Sequence, residues 1–288
     1  MPSKSRFVIA ESSIKSFFKQ NPRKVFSREQ LSVIFEERKA AWNLPVTTTD
    51  LRFIEQLQKR GILTKIEILF DGYLNKKERY ITKDANELEI AASLINKSYL
   101  SHYTAMFLNG LTTQVPKTIY VTFEQSKKPD GNRQLKQEAI DAAFSKPQRK
   151  AVTEAVYGDY SFLILNGMHT GRTGIHSVGN VPVTNLERTL IDITVRPGYA
   201  GGVYSVLEAY QNALPEISLN KLIATLDNLD FIYPYHQAVG FYLERAGYSG
   251  KKLEELRSRK KEFRFYLTYD MEGKDFSEDW QLYFPKGM

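Results

Sequence analysis

Residues 47–61 read TTTDLRFIEQLQKRG. They are followed by ILTKIEILF at 62–70, DGYLNKK at 71–77 and ERYIT at 78–82. This stretch decides the fold of the N-terminal part. Leu51, Ile54 and Leu57 recur at three-residue spacing with Phe53 alongside, the pattern of an amphipathic helix with one buried stripe. Thr47 with Asp50 three residues on reads as an N-terminal capping box, and Gly61 suits the left-handed residue that ends a helix. Ile62–Phe70 and Glu78–Thr82 then read as two strands, and the Asp71-Gly72 pair marks the turn between them.

Working upstream, Ile14, Phe17 and Phe18 give a helix face that stops at Asn21-Pro22, because the residue before proline disfavours helix. Ser27-Arg28-Glu29-Gln30 is a second capping box, opening a helix with Leu31, Ile34 and Phe35 inward. Three helices followed by a β-hairpin is the order of a winged helix-turn-helix. With its stripe buried, the third helix presents Arg52, Gln56, Lys59 and the hydroxyls of Thr47, Thr48 and Thr49. Arg pairs bidentately with guanine and Gln with adenine, while Thr hydroxyls and free helix-start N–H groups suit phosphate. Lys76, Lys77 and Arg79 on the hairpin are expected near the DNA backbone or minor groove. Each of these charges has a plainer reading as a solvated helix face or turn tip.

Charge distribution supports a polyanion partner. The chain of 288 residues carries a net +7, and residues 1–82 hold 16 Lys and Arg against 9 Asp and Glu. The excess therefore sits wholly in the first part, and the remainder is neutral. The length suits one small and one medium domain. We expect a winged helix-turn-helix at 1–83 and a second domain at 86–288. There is no cysteine, which excludes disulfides and thiolate metal sites and fits a reducing compartment. No apolar run approaches the roughly 20 residues of a membrane span, and Lys4 and Arg6 near the start argue against a hydrophobic leader. A cytoplasmic chain without a membrane partner is expected.

Beyond residue 83 helices and strands alternate without βαβ regularity, so the fold class is α+β. Expected helices lie at about 86–97, 101–110, 135–144, from about 148, 184–196, 203–213, 219–226, 235–246 and 251–259. Strands are expected at 117–124, 161–165, 174–178, 181–183 and around 263–269. Lys127–Arg133 reads as a loop, and Thr184-Asn185-Leu186-Glu187 as a capping box.

Two blocks in this second part carry a resemblance. Ser98-Tyr99-Leu100-Ser101-His102-Tyr103-Thr104-Ala105 through Gly110-Leu111-Thr112, with Pro116–Thr122 after it, is similar to the AbiE-type antitoxins of type IV toxin–antitoxin systems. So is Leu186-Glu187-Arg188-Thr189-Leu190-Ile191-Asp192, with Arg196-Pro197 and Gly201-Gly202 following. The resemblance implies a repressor of its own operon whose winged helix binds inverted repeats in double-stranded DNA. It also implies that the C-terminal domain protects against a nucleotidyltransferase-type toxin.

Catalytic chemistry is sparse. His102, His169, His176 and His236 show no metal-ligand spacing. His169 and His176 with Arg172 read better as a polar turn between strands than as a site. Asp270, Glu272, Lys274 and Asp275 form the nearest approach to a nuclease-like carboxylate group, and a polar turn explains them more simply. Glu187 and Asp192 lie about 140° apart around one helix and do not converge. Arg188 and Arg196 are candidates for family-specific contacts, with salt bridging the plainer reading. No metal or cofactor and no enzymatic activity are expected. Three function classes stay open: a DNA-binding antitoxin and autorepressor, a DNA-targeting or DNA-processing subunit of a bacterial defence or modification system, and a protein-docking module.

Overall fold

The computed structural model describes residues 6–71, 75–127 and 135–288. Lys4, the turn residues 72–74 and most of the expected 127–133 loop lie outside them.

The chain begins with α1 (Arg6–Gln20), β1 (Val25–Phe26), α2 (Arg28–Arg38), α3 (Asp50–Lys59), β2 (Thr64–Asp71) and β3 (Lys76–Ile81). Local chemistry sets these boundaries. Ser27 caps α2 in a reciprocal box: its hydroxyl accepts from the Gln30 N–H, and the Gln30 side chain accepts from the Ser27 N–H at 2.9 Å. β1 pairs with β3, Phe26 opposite Tyr80, and β3 pairs with β2. This is a winged helix-turn-helix. Its core centres on Phe53, fully buried, whose ring meets those of Phe35 at 5.1 Å and Trp42 at 5.4 Å.

The remainder is a larger mixed α+β assembly. It runs α4 (Glu87–Ser93), β4 (Tyr99–Leu100), α5 (His102–Leu108), β5 (Thr118–Glu124), α6 (Gln137–Phe144), β6 (Glu154–Tyr157) and β7 (Tyr160–Gly167). Then come β8 (Ile175–Val178), β9 (Val181–Thr184), α7 (Leu186–Val195), α8 (Val203–Ala213), α9 (Leu219–Leu229), α10 (Tyr235–Arg245) and α11 (Lys251–Ser258). A small sheet of β10 (Phe265–Tyr266), β11 (Lys274–Ser277) and β12 (Leu282–Pro285) closes the chain.

The boundary expected between residues 83 and 86 falls in a turn leading into α4, yet one sheet joins the two parts. β2 pairs with β3 on one side and with β6 on the other, where Phe70 lies opposite Ala155 and Asp71 opposite Glu154. The wing thereby joins a nine-stranded sheet ordered β1-β3-β2-β6-β7-β5-β4-β9-β8, in which β5–β7 and β4–β9 are parallel. Strand alternation gives the hairpin two faces. Ile68 and Phe70 turn toward Ile90, Leu94, Ile119 and Phe162 in a second core. A third core lies among α7–α11 and the small sheet, around Trp280.

Several expectations are corrected. No helix forms at 148; the chain there leads into β6. The helix expected over 86–97 ends at Ser93, and β4 follows it. The tail expected as strand over 263–269 is strand only at Phe265–Tyr266, while Lys274–Asp275, expected in a turn, begin β11. The cap of α7 is Asn185 rather than Thr184, its side chain accepting from the Arg188 N–H at 2.9 Å. Thr184 instead shares a hydrogen bond with Thr189 at 2.7 Å.

His102 opens α5 in the left-handed region, at φ 51°, and is 8% exposed. Its Nδ1 lies 2.8 Å from the Ser101 hydroxyl. Burial pushes its pKa down from 6.5 to about 4; Asp192 opposes the shift, and Arg196 and Arg188 reinforce it. The folded chain thus keeps His102 neutral where the unfolded chain protonates it. Stability is complete above pH 6.5 and is expected to fall as pH drops from 6.5 toward 4, by about 3 kcal/mol in all. His236, pushed to about 4 mainly by burial, acts in the same window. Urea midpoints between pH 7 and 4.5 check this. His102→Asn, which tolerates the same backbone region, should flatten the slope; a wild-type midpoint constant down to pH 4.5 would contradict it.

Candidate nucleic-acid interface

Arg52, Gln56 and Lys59 stand at i, i+4 and i+7 on α3 and share one face. Arg52 and Lys59 are exposed and Gln56 is half-buried. Among the described residues none of the three head groups has a partner. The start of the helix is held from below. Asp50 accepts from the Ser32 hydroxyl of α2 at 2.6 Å, a bond that also holds its carboxyl below the usual range. Lys39, at the end of α2, donates to the carbonyls of Val46 and Thr48 at 2.9 and 3.0 Å. The turn between the two helices is therefore pinned, and the free heads project from a fixed frame.

The three threonines divide. The cap of α3 is Thr49, not Thr47: its hydroxyl accepts from the Arg52 N–H at 3.3 Å. The hydroxyl of Thr49 is thus engaged in the fold, Thr48 is half-buried with its carbonyl on Lys39, and Thr47 is exposed. Leu51 departs from expectation in the other direction. It is 51% exposed, and the buried stripe is Phe53, Ile54 and Leu57. An apolar side chain beside Arg52 at the helix start suits contact with a thymine methyl.

The hairpin cations do not act together, because successive residues of a strand face opposite ways. Lys76 lies on the outer face in a neutral quartet, 2.9 Å from Glu67 and 3.1 Å from Glu78, with Lys65 at 3.0 Å from Glu78. Its charge is largely answered within the protein. Arg79 is a strut. Its guanidinium donates to the Ser93 carbonyl at 3.1 Å and the Leu94 carbonyl at 3.0 Å, capping the end of α4. Lys76, Lys77 and Arg79, expected near the DNA backbone or minor groove, therefore differ in engagement, Lys76 and Arg79 being bonded within the protein. Lys77 keeps a head group without a described partner and lines a cleft beneath the hairpin. Arg23 and Arg28 line the same cleft and were overlooked in the sequence, where Arg28 was read only as part of a cap.

The other candidate residues are accounted for by packing. Arg188, only 4% exposed, donates from Nε to Asp192 at 2.7 Å and from Nη1 to the Thr173 carbonyl at 2.8 Å. Glu187 pairs instead with Lys221 at 2.8 Å, so it and Asp192 serve different partners. Arg196 lies over the Tyr199 ring. The loop bearing His169 and Arg172 is clamped by Glu124, which accepts from the backbone N–H groups of Thr170 at 3.0 Å and Arg172 at 3.1 Å. Lys274 lies over the Tyr266 and Tyr283 rings. Among the described residues no three His, Asp or Glu gather as a metal site, and no helix is long and apolar enough to cross a membrane.

No protein-family model matches the chain, and no curated protein matches it in sequence. The fold is similar to that of the RV2827C protein from Mycobacterium tuberculosis. The TM-score is 0.55 at 12% identity, and the match covers 96% of this chain and 91% of that one. At that identity the likeness speaks for the fold alone. The matched 96% of this chain takes in both the winged helix and the assembly behind it.

Proposed function

We propose that the chain is a DNA-binding antitoxin and transcriptional autorepressor that reads its own promoter through α3 and works in the cytoplasm by binding rather than catalysis. The observation that carries the DNA reading is the unpartnered Arg52–Gln56–Lys59 face on a helix whose start is pinned by Lys39 and Ser32. Heads that are free and a frame that is fixed give base contacts at low ordering cost. The antitoxin reading is supported by the resemblance of the Ser98–Thr122 and Leu186–Asp192 blocks. It pairs the chain with a nucleotidyltransferase-type toxin and an operator of inverted repeats.

Fluorescence anisotropy with the chain's own promoter duplex tests this. Arg52→Ala or Gln56→Ala is expected to cost on the order of 1–3 kcal/mol on the preferred site and to relax base preference. Lys76→Ala, whose charge is answered by Glu67 and Glu78, should change affinity little. Rescue of cells making the toxin should survive Arg52→Ala when the protein comes from an independent promoter. An unchanged preferred site in both α3 variants would remove α3 as the reader.

A further inference from the structure

We infer that the cleft between the winged helix and the assembly behind it binds a compact polyphosphate. Its cavity volume is about 1060 Å³, ample for a small ligand. One wall is built from the turn after α1, the start of α2 and β3; the other comes from the segment after α4, Arg172 and the β8–β9 turn. Asn180 of that turn donates to the Pro22 carbonyl and ties the walls together.

The charge balance of the lining decides what it takes. Of its three acids Glu78 is paired with Lys65 and Lys76, while Glu29 and Glu89 accept from neutral donors, the Ser27 hydroxyl at 2.6 Å and the Asn86 N–H at 3.1 Å, and keep their charge. Of its eight cations, Lys24 pairs with Asp84 at 2.9 Å and Lys76 and Arg79 are engaged as described above; the other five are not in ion pairs. Among the described residues Arg23, Lys77 and Lys97 have no side-chain partner, and Arg28 makes no side-chain hydrogen bond or ion pair but lies in the field of Glu29 and Asp50. Arg172 spends Nη1 on the Lys97 carbonyl, and its plane lies 5.6 Å from the Tyr99 ring centre. Five cations outside ion pairs thus line one cavity from both walls against two such acids, an excess of three positive charges that an anion with several charges satisfies and a single carboxylate does not.

Among the described residues the lining contains no aromatic ring. Single-stranded nucleic acid is held by stacking bases on rings, so the chemistry here addresses phosphate charge alone. The bridge between Asn180 and Pro22 joins the walls and suits a compact ligand better than a continuous strand. This inference uses other residues than the α3 face and stands independently of the reading proposed for it.

The test is isothermal titration of the full chain with inorganic tripolyphosphate at low salt, with orthophosphate as comparison. One site per chain is expected, with orthophosphate much weaker. Arg23→Ala on one wall and Lys97→Ala on the other should each weaken it about tenfold, the loss of one charge-assisted contact. Arg52→Ala should leave it unchanged. The side chains replaced make no described contacts, so folding is not at stake. Absence of binding, equal affinity in the Arg23 and Lys97 variants, or dependence on only one wall would overturn the proposal. So would a cleft that answers to duplex DNA and not to tripolyphosphate, which would make it nucleic-acid surface.

Discussion

Asp192→Ala is expected to cost about 3–5 kcal/mol of stability, the usual penalty for stranding one partner of a buried ion pair. Arg188 and Asp192 are 4% and 8% exposed and meet at 2.7 Å, with Glu124 a second charge acting on Arg188 without a hydrogen bond to it. Removing the carboxylate leaves a guanidinium that cannot reach water and keeps only the Thr173 carbonyl and the Thr170 hydroxyl. Guanidinium chloride denaturation followed by circular dichroism would measure it. A loss below about 1 kcal/mol would mean that water reaches Arg188 after all. The pair variant Arg188→Met with Asp192→Leu should recover much of the loss, since apolar replacements of both members spare the desolvation cost.

Gly240→Ala should be nearly as severe, against what helix propensity says. Gly240 lies inside α10, where alanine ordinarily gains about 1 kcal/mol over glycine. Here a Cβ would sit 2.0 Å from Trp280 Cζ3 and 2.3 Å from Cη2. Trp280 is fully buried, donates from its indole N–H to Glu244 and lies under the Arg257 and Lys261 cations. The ring has nowhere to go without abandoning the small sheet. We expect a net loss of about 3 kcal/mol, at the upper end of overpacking costs. A fall in thermal midpoint with a red shift in tryptophan emission would register it; a stabilised variant would refute it. Adding Trp280→Leu should make the alanine tolerable.

Much of the winged helix was legible because its signals are local. The Ser27–Gln30 box and the Phe53–Leu57 stripe depend on residues within one or two turns. The capping-box rule points to Thr47 because it alone of the three threonines has an acid three residues on, yet that acid, Asp50, bonds to Ser32 of α2 and Thr49 caps the helix. The contacts around that cap come from another helix: Lys39 holds the carbonyls of Val46 and Thr48, which no local rule reads. The site was less legible than the fold. Whether a hairpin cation is free depends on register, which sets Glu67 opposite Glu78 and brings Lys76 to both. The burial of Arg79 depends on where α4 ends in space. The alternation of β3 was available as a rule, but Lys76, Lys77 and Arg79 were grouped by sign and not by face. The pairing of β2 with β6 joins residues more than 80 positions apart and leaves no local trace.

That pairing bears on how the protein can be taken apart. A winged helix is commonly a cassette, exchangeable between proteins and stable when cut free. Here a fragment ending at residue 83 would uncover Ile68 and Phe70, now 1% and 7% exposed, and leave the Phe70–Asp71 end of β2 as a raw edge. Unpaired apolar strand edges recruit other chains, so such a fragment is expected to self-associate. The modularity suggested by the charge split does not extend to the backbone. An insertion or a crossover between homologues at residues 83–86 would separate partners of one continuous sheet, and if α3 reads DNA as proposed, its preference is more readily changed by substitutions on α3 than by exchange of the whole head.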